Sequence, residues 1–424
     1  MKICYLAVDY ETEHKYGGLG TYIYHTAHEM ARRGHTVHVI AKGDFTRDFD
    51  EGKVHVHQVH PNMFWADDYQ IKKRFRIRSL PRDFMKFITE RWLFRTMMSI
   101  VTNHTVHGKF KELSKSIDFD IVEADDCGGI GLAATFRHAP VVTKLHTSWY
   151  IASTLNKDYR ARDYIDRRIV YLMEYLQFHR SKGLTSNSES LKELSCRIYH
   201  IDNVKVKVIH PSIDVSDIVH KARTLSASKK AIHISGDYML YIGRIEPRKG
   251  VEELCNAARM IFEHDKNIKL VLAGGIFPKS WDGLYHRLLR SLSKYKHRVI
   301  FLDRVDKERL YPLILQAKVI VLPSRWEAFG YSCLESLALG KIIVAAGGSG
   351  FEEQIGKDGK AGILFQPSNT HDLKDKLMTA LSMDASQISR MSRNAKVRAM
   401  MFDNKSIVPK VESYYKKVLS KNRK

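Results

Sequence analysis

Short apolar runs alternate along this chain with stretches in which apolar residues recur every three or four positions. The opening MKICYLAV is a brief apolar run that stops at Asp9, too brief for a signal-peptide core or a membrane span, and it predicts a first strand. A glycine turn, Gly17-Gly18-Leu19-Gly20, comes next, then TYIYHTAHEMARRGH with apolar residues at helical spacing, then a second strand in TVHVIA. Strand, glycine loop, helix and strand in that order open a doubly wound sheet, whose ligands bind beyond the carboxyl ends of the strands. DIVEA at 120–124 and PVVTKLH at 140–146 add strands after a basic helical region. Past VKVKVIHPSID at 204–214, with Pro211 and Ser212 as a junction, five apolar runs follow at 238–244, 268–275, 298–305, 319–324 and 341–346. Helical stretches separate them, which predicts a second parallel sheet covered on both faces. The final KSIVPKVESYYKKVLSKNRK predicts a helix with Pro409 in its first turn.

A chain of 424 residues is too long for one ordinary core and divides into two domains. The expected division is an N-terminal Rossmann-like domain over 1–210, a second over 211–400, and a closing helix over 401–424 that packs back toward the first, with a cleft between the domains. A hydrophobic fraction of 44% and a charged fraction of 27% exclude wholesale disorder and collagen-like architecture. Lys, Arg, His or Asp interrupts every hydrophobic stretch, so no spanning helix is expected. Cys4, Cys127, Cys196, Cys255 and Cys333 are scattered without CxxC or Cys/His ligand spacing, which points to a reducing cytoplasm and no structural zinc.

The net charge of +22 implies attraction to something anionic, without choosing among nucleic acid, an acidic membrane face and a phosphorylated substrate. The excess concentrates in 70–115, where Lys72, Lys73, Arg74, Arg76, Arg78, Arg82, Lys86, Arg91 and Arg95 alternate with Phe75, Phe84, Phe87, Trp92 and Phe94. That mixture suits an anionic membrane surface, and equally a solvated helix whose aromatics face its own core. No RNA- or DNA-binding motif is present, so nucleic acid is not an expected partner.

The chemistry concentrates at two strand ends. Trp326-Glu327-Ala328-Phe329-Gly330-Tyr331-Ser332-Cys333-Leu334-Glu335 runs from the strand at 319–324 into a helix. Glu327 falls in the loop and Glu335 inside the helix, and the N–H groups around Phe329 to Ser332 lie at the positive helix end, suited to diphosphate or sugar oxygens. Gly243-Arg244-Ile245-Glu246-Pro247-Arg248-Lys249-Gly250 closes another strand, and Arg244 and Lys249 can converge there on an anion. Arg248 is an additional cation with no assigned role.

These residues resemble glycosyltransferase family 4, retaining enzymes of the two-domain GT-B fold, and the resemblance covers nearly the whole chain. Its Glu-x7-Glu signature is matched by Glu327 and Glu335. The resemblance implies that Glu327 contacts the donor sugar and Glu335 the ribose hydroxyls, with main-chain contacts from Phe329, Gly330, Tyr331 and Ser332. It further implies that Arg244 and Lys249 bind the donor diphosphate, Gly18 approaches donor phosphates and acceptor, and His146 lies near the transfer centre. Asp9, Asp125 and Asp126, at other strand ends, are candidate acceptor contacts, and Glu353 shapes a glycine-rich loop. Two positions depart from the family pattern: Pro211-Ser212 replaces the usual Pro-Asn-Gly, and Asp303 stands where FLDRV should carry glycine, near the base pocket that the resemblance implies, which leaves the nucleotide base open.

The expected function is a metal-independent, retaining hexosyltransferase that moves sugar from a nucleoside-diphosphate sugar, UDP-sugar favoured, to an acceptor hydroxyl. The nucleotide-sugar is a substrate; no cofactor and no metal is expected, and no Asp-x-Asp loop suggests one. The acceptor is a glycan, a lipid-linked or cell-envelope saccharide or a small molecule, and the protein is cytoplasmic or peripheral on the inner membrane face. Competing readings are a non-catalytic nucleotide-sugar or membrane-binding module and an epimerase or phosphorylase on the same scaffold.

Overall fold

Strands buried on both faces read as unbroken apolar runs, and the runs in this chain close into two parallel sheets. In the computed structural model, residues 1–10, 17–61, 93–137, 139–156, 163–226, 228, 231–275 and 282–422 are described. The chain divides into two compact units, Met1–Ile209 with Val408–Lys424, and His210–Ile407.

The first unit holds eight strands: β1 (Lys2–Ala7), β2 (Thr36–Lys42), β3 (Arg47–Glu51), β4 (Val54–Val59), β5 (Ile121–Asp125), β6 (Val141–Leu145), β7 (Gly183–Ser186) and β8 (Val206–Val208). Their order is β3-β4-β2-β1-β5-β6-β7-β8. Every neighbouring pair is parallel except β3 with β4. The charged RDFDE of β3 suits an edge, where unpaired backbone invites unwanted partners. Strand order reverses between β1 and β5, which pair Ile3 with Ile121, so the crevice at their carboxyl ends is a topological switch point.

Three helices matter to that crevice. Gly18–Arg32 starts beside it and buries Ile23, Ala27 and Met30. Phe94–Leu113 has its first turn satisfied by Asp166, which accepts Thr96 N–H at 2.7 Å and Arg95 N–H at 3.1 Å. The last helix, Asn404–Asn422, belongs to this unit from Val408 onward. There Tyr415 Oη donates to Glu123 of β5 at 2.7 Å, and Arg33 pairs with Glu412 at 2.7 Å. This helix begins earlier than the sequence suggests, leaving Pro409 in its interior. Asp403 sets the start by accepting the N–H groups of Lys405 (2.9 Å) and Val215 (3.1 Å). Of the basic aromatic segment, the residues from 70 to Trp92 lie outside the described residues; Phe94 and Arg95 open the helix Phe94–Leu113.

The second unit holds β9 (Tyr238–Ile242), β10 (Lys269–Ala273), β11 (Val299–Leu302), β12 (Val319–Leu322), β13 (Ile343–Ala346) and β14 (Ile363–Phe365), in the order β11-β10-β9-β12-β13-β14. All neighbours are parallel, in the doubly wound dinucleotide-fold order with its switch point between β9 and β12. Leu240, Leu270, Val271, Ile320, Val321 and Val344 are fully buried, each contributing about 2 kcal/mol of transfer free energy. β11 ends at Leu302, so Asp303 stands in a loop, where its carboxylate accepts Arg304 N–H at 2.7 Å. The helix Val251–His264 packs so tightly at its start that a Cβ on Gly250, at φ 65°, would sit 1.9 Å from Pro323 O. Only glycine permits that approach of the β9 and β12 loops.

Candidate active site

In the second unit the loops leaving β9 and β12 meet at the switch point through an ion cluster. Lys249 Nζ donates to Glu327 Oε2, Arg248 Nη1 lies 3.7 Å from Glu327 Oε1, and Ser324 Oγ donates to Glu327 Oε2 at 3.5 Å. Glu327 N–H in turn reaches Ser349 Oγ at 3.3 Å. Burial pushes the Glu327 carboxyl up, but the Lys249 and Arg248 charges outweigh it and hold the group at about 2, fully ionised at neutral pH. Burial lowers the Lys249 ammonium from its ordinary value, with Glu327 opposing.

Arg248, which the sequence left without a role, is buried and ties the two loops together. It donates to Glu246 at 2.8 Å and to Trp326 O at 3.1 Å. Glu246 also lies 3.4 Å from Arg244, whose side chain is 54% exposed. Arg244 thus presents a held but accessible guanidinium, and Lys249 and Glu327 sit deeper. The role of Glu246 was missed as well; the only signal in the sequence was a Glu and an Arg straddling Pro247.

The helix Tyr331–Ala338 begins beside Glu327. Its N-cap, Gly330, has φ 94° and provides no side-chain cap, and no acidic residue occupies the first turn. A Cβ there would lie 2.4 Å from the Phe351 ring, so the glycine is enforced by packing as well as by φ. Phe329 is buried, its ring 5.3 Å from that of His210 and 5.6 Å from that of Phe402, and its carbonyl accepts from Gln354 Nε2 at 2.6 Å. Tyr331 and Ser332 supply the first helical N–H groups, at the positive end of the helix. Glu335 is buried one turn in, accepting from Tyr311 Oη at 3.4 Å. Glu353 lies 3.9 Å from His210, and its carbonyl accepts from Arg398 at 2.6 Å.

The first unit's switch point differs in character. Asp125 accepts Val8 N–H at 2.8 Å and Cys127 N–H at 3.1 Å; Asp126 accepts His146 N–H at 3.0 Å and Thr147 N–H at 3.1 Å. Both side chains are buried, and burial raises both carboxyls, Asp126 to about 7. The sequence offered them as acceptor contacts, whereas here their oxygens hold the loops after β1, β5 and β6. Asp9 is half-buried in the loop after β1, and Gly18 is exposed at the start of a helix with neither a side-chain cap nor an acid in its first turn.

His146 closes β6. Asn187 Nδ2 donates to its Nδ1 at 3.0 Å, the Tyr22 ring meets it edge-on at 4.8 Å, and its Nε2 is buried without a hydrogen-bond partner. Burial first, and Lys144 second, lower the imidazole well below its ordinary value, so the ring is neutral. Lys144 is itself buried, with Nζ 5.0 Å above the Tyr22 ring and donating to Ile209 O. Asn187 was not foreseen: nothing in TSNSES marks it. Among the described residues no group of His, Cys, Asp and Glu side chains is arranged to hold a metal ion, and no helix is long and apolar enough to cross a membrane.

Comparison with known proteins bears on these two crevices separately. Residues 224–398 match the model of glycosyl transferases group 1, and residues 16–217 match that of glycosyltransferase family 4. An uncharacterized glycosyltransferase of Methanocaldococcus jannaschii is 34% identical over 209 residues, about half of each chain (48% and 52%). D-inositol 3-phosphate glycosyltransferase of Corynebacterium glutamicum is 24% identical over 94% of this chain and 91% of its own. HepE of Anabaena, solved with UDP and glucose, superposes with a TM-score of 0.66 at 16% identity, covering 98% of this chain and 100% of that one, a likeness of fold. Together the two family models take in every described strand except β1, and the chain belongs to the glycosyltransferases of the family 4 and group 1 type, with the GT-B fold.

Proposed function

We propose that this glycosyltransferase moves a hexose from a nucleoside-diphosphate sugar, UDP-sugar favoured, to an acceptor hydroxyl with retention at the anomeric carbon and without a metal ion. The observation that carries the reading is the Lys249–Glu327 pair at the β9/β12 switch point beside the uncapped helix Tyr331–Ala338. An incoming diphosphate gives Lys249 a second anion to serve, and Arg244 and the first N–H groups of the helix add to it. Glu327, ionised and released in part from Lys249, accepts from hydroxyls of the donor sugar. As the glycosidic bond breaks and the acceptor oxygen bonds the anomeric carbon, the departing phosphate takes the bonding electron pair and then the acceptor's hydroxyl proton, and two cations and a helix dipole stabilise the charge that grows on it; one such contact is worth about 3 kcal/mol of barrier. These groups supply the charge that a metal would otherwise bring. UDP is favoured because the Anabaena neighbour binds it.

The acceptor reading is a lipid-linked or cell-envelope saccharide taken at the inner, anionic face of a membrane. Phe94, Ile100 and Phe136 are exposed in the first unit near Arg95, Arg137 and Arg180, and Arg180 lies 3.7 Å above the Phe136 ring. Apolar bodies among cations are what a headgroup layer binds. The Corynebacterium relative favours a phosphorylated small-molecule acceptor instead, which the same positive charge also suits.

Both parts are testable. With a UDP-sugar and a cell-envelope extract as acceptor, the product's anomeric coupling constant should match the donor's, and EDTA should leave the rate unchanged. Inversion would overturn retention, and a rate abolished by EDTA and restored by Mg²⁺ would overturn metal independence. Sedimentation with anionic liposomes at low salt should carry the protein down, and its absence would remove the membrane reading.

A further inference from the structure

The two ring nitrogens of His146 have unlike surroundings. Nδ1 receives the Asn187 Nδ2 hydrogen bond at 3.0 Å, and Nε2 is buried with no partner. A ring nitrogen that accepts an N–H bond carries no proton, so a neutral imidazole held this way bears its proton on Nε2. The backbone leaves the ring little freedom: Asp126 of the β5 loop accepts the His146 and Thr147 N–H groups at 3.0 and 3.1 Å, and Thr147 is held at φ 152°. Lys144 lies two residues back on β6, and Tyr22 packs from the helix Gly18–Arg32, its hydroxyl donating to Glu123 at 2.9 Å. Burial and the Lys144 charge both oppose a second proton on the ring.

We propose that Asn187 is a positioning residue that locks His146 in its neutral Nε2–H tautomer, so that His146 serves as a hydrogen-bond donor to a sugar oxygen and not as a general base. The substrate half of this proposal rests on the transferase reading; the tautomer half does not. A base needs a bare nitrogen facing the acceptor, and here the bare nitrogen is the one occupied by Asn187. An N–H with no protein partner is instead satisfied only when a substrate oxygen arrives, which makes it an interaction gained on binding and kept through transfer.

The test is the ¹⁵N spectrum of the histidine-labelled full chain, with the His146 signals identified by their loss in His146→Gln. Nε2 should carry the proton and Nδ1 should be bare throughout about pH 5 to 8. Asn187→Asp places an acceptor against Nδ1, so the proton should move to Nδ1, kcat should fall about a hundredfold with a smaller change in donor KM, and activity should acquire a titration in the neutral range. A wild-type spectrum with the proton on Nδ1 overturns the proposal, as does a folded Asn187→Asp variant with unchanged ring signals. If that variant does not fold, the wild-type spectrum still decides. Because the spectrum needs no donor or acceptor, the expected tautomer in a protein that transfers no sugar overturns the transferase reading and leaves the tautomer assignment standing.

Discussion

The two switch points share a topology and differ in electrostatics. After β9 and β12 the loops carry Arg244, Arg248 and Lys249 around two carboxylates: Glu246, which pairs with Arg244 and Arg248, and Glu327, which faces Arg248 and Lys249 and is held at about 2. After β1, β5 and β6 the loops carry Asp125 and Asp126, raised by burial, and a neutral His146. A doubly wound sheet provides a crevice in either case, and the loop chemistry decides what it receives. The second unit's crevice is built around charges kept ionised, ready for an anion. In the first, main-chain donors consume the carboxylates, and the ring left beside them offers a neutral hydrogen bond.

The largest effect that would break the comparison is at Lys249. Lys249→Ala should lower transfer by about two orders of magnitude, measured as kcat/KM for the donor. Arg248 remains 3.7 Å from Glu327, so the carboxylate keeps a partner and unfolding should stay cooperative. Next is the backbone approach that builds the cationic crevice. Gly250→Ala drives a Cβ to 1.9 Å from Pro323 O at φ 65°, and should cost about 3 kcal/mol in urea unfolding with Lys249 activity lost in parallel.

A pair of pH measurements sharpens the contrast with opposite signs. Asp126 has its folded value raised, to about 7 from 3.8, so its protonated form stabilises the fold below pH 4 and that contribution is lost as pH rises to about 7. The melting temperature of Asp126→Asn should therefore gain on wild type between pH 4 and 7, by the equivalent of about 3 kcal/mol. Glu327 has its folded value depressed from 4.5 to about 2, so its stabilisation is present above pH 4.5 and lost toward 2. Glu327→Gln should be the less stable protein at neutral pH and should approach wild type as pH falls through that window. Equal slopes for the two variants would erase the distinction between the crevices. The smallest effect is a control on the outer surface: Arg287 and Glu252 pair at 3.3 Å but are 58% and 38% exposed, so Arg287→Ala should change stability by less than about 0.5 kcal/mol in urea unfolding.

What the sequence revealed followed from local chemistry. VIVL and IVAA are buried on both faces in β12 and β13, and such runs identify themselves. β7, GLTS, is equally buried but small and partly polar, and β3 is a charged edge, so neither carries the signal. Lys249 and Glu327 were legible because each lies in a loop at a strand end, where ligand-binding side chains are expected. The bonds that join them were not. Arg248 meets Trp326 across 78 residues, and Asn187 meets His146 across 41, and spacing along one segment says nothing of partners that distant. Asp125 and Asp126 illustrate the converse: a strand-end carboxylate looks available until the main-chain donors of other loops are counted.

The central claim is that the β9/β12 crevice takes a nucleoside diphosphate through protein cations alone. Thermal unfolding of the protein in EDTA with UDP, GDP, ADP, CDP and their common sugar conjugates tests it directly, because a ligand that binds the native state raises its stability. The expected result is a clear rise in Tm with one nucleotide series, UDP first, and its loss in Lys249→Ala. No rise with any of them in EDTA, or a rise that survives in Lys249→Ala undiminished, would contradict it.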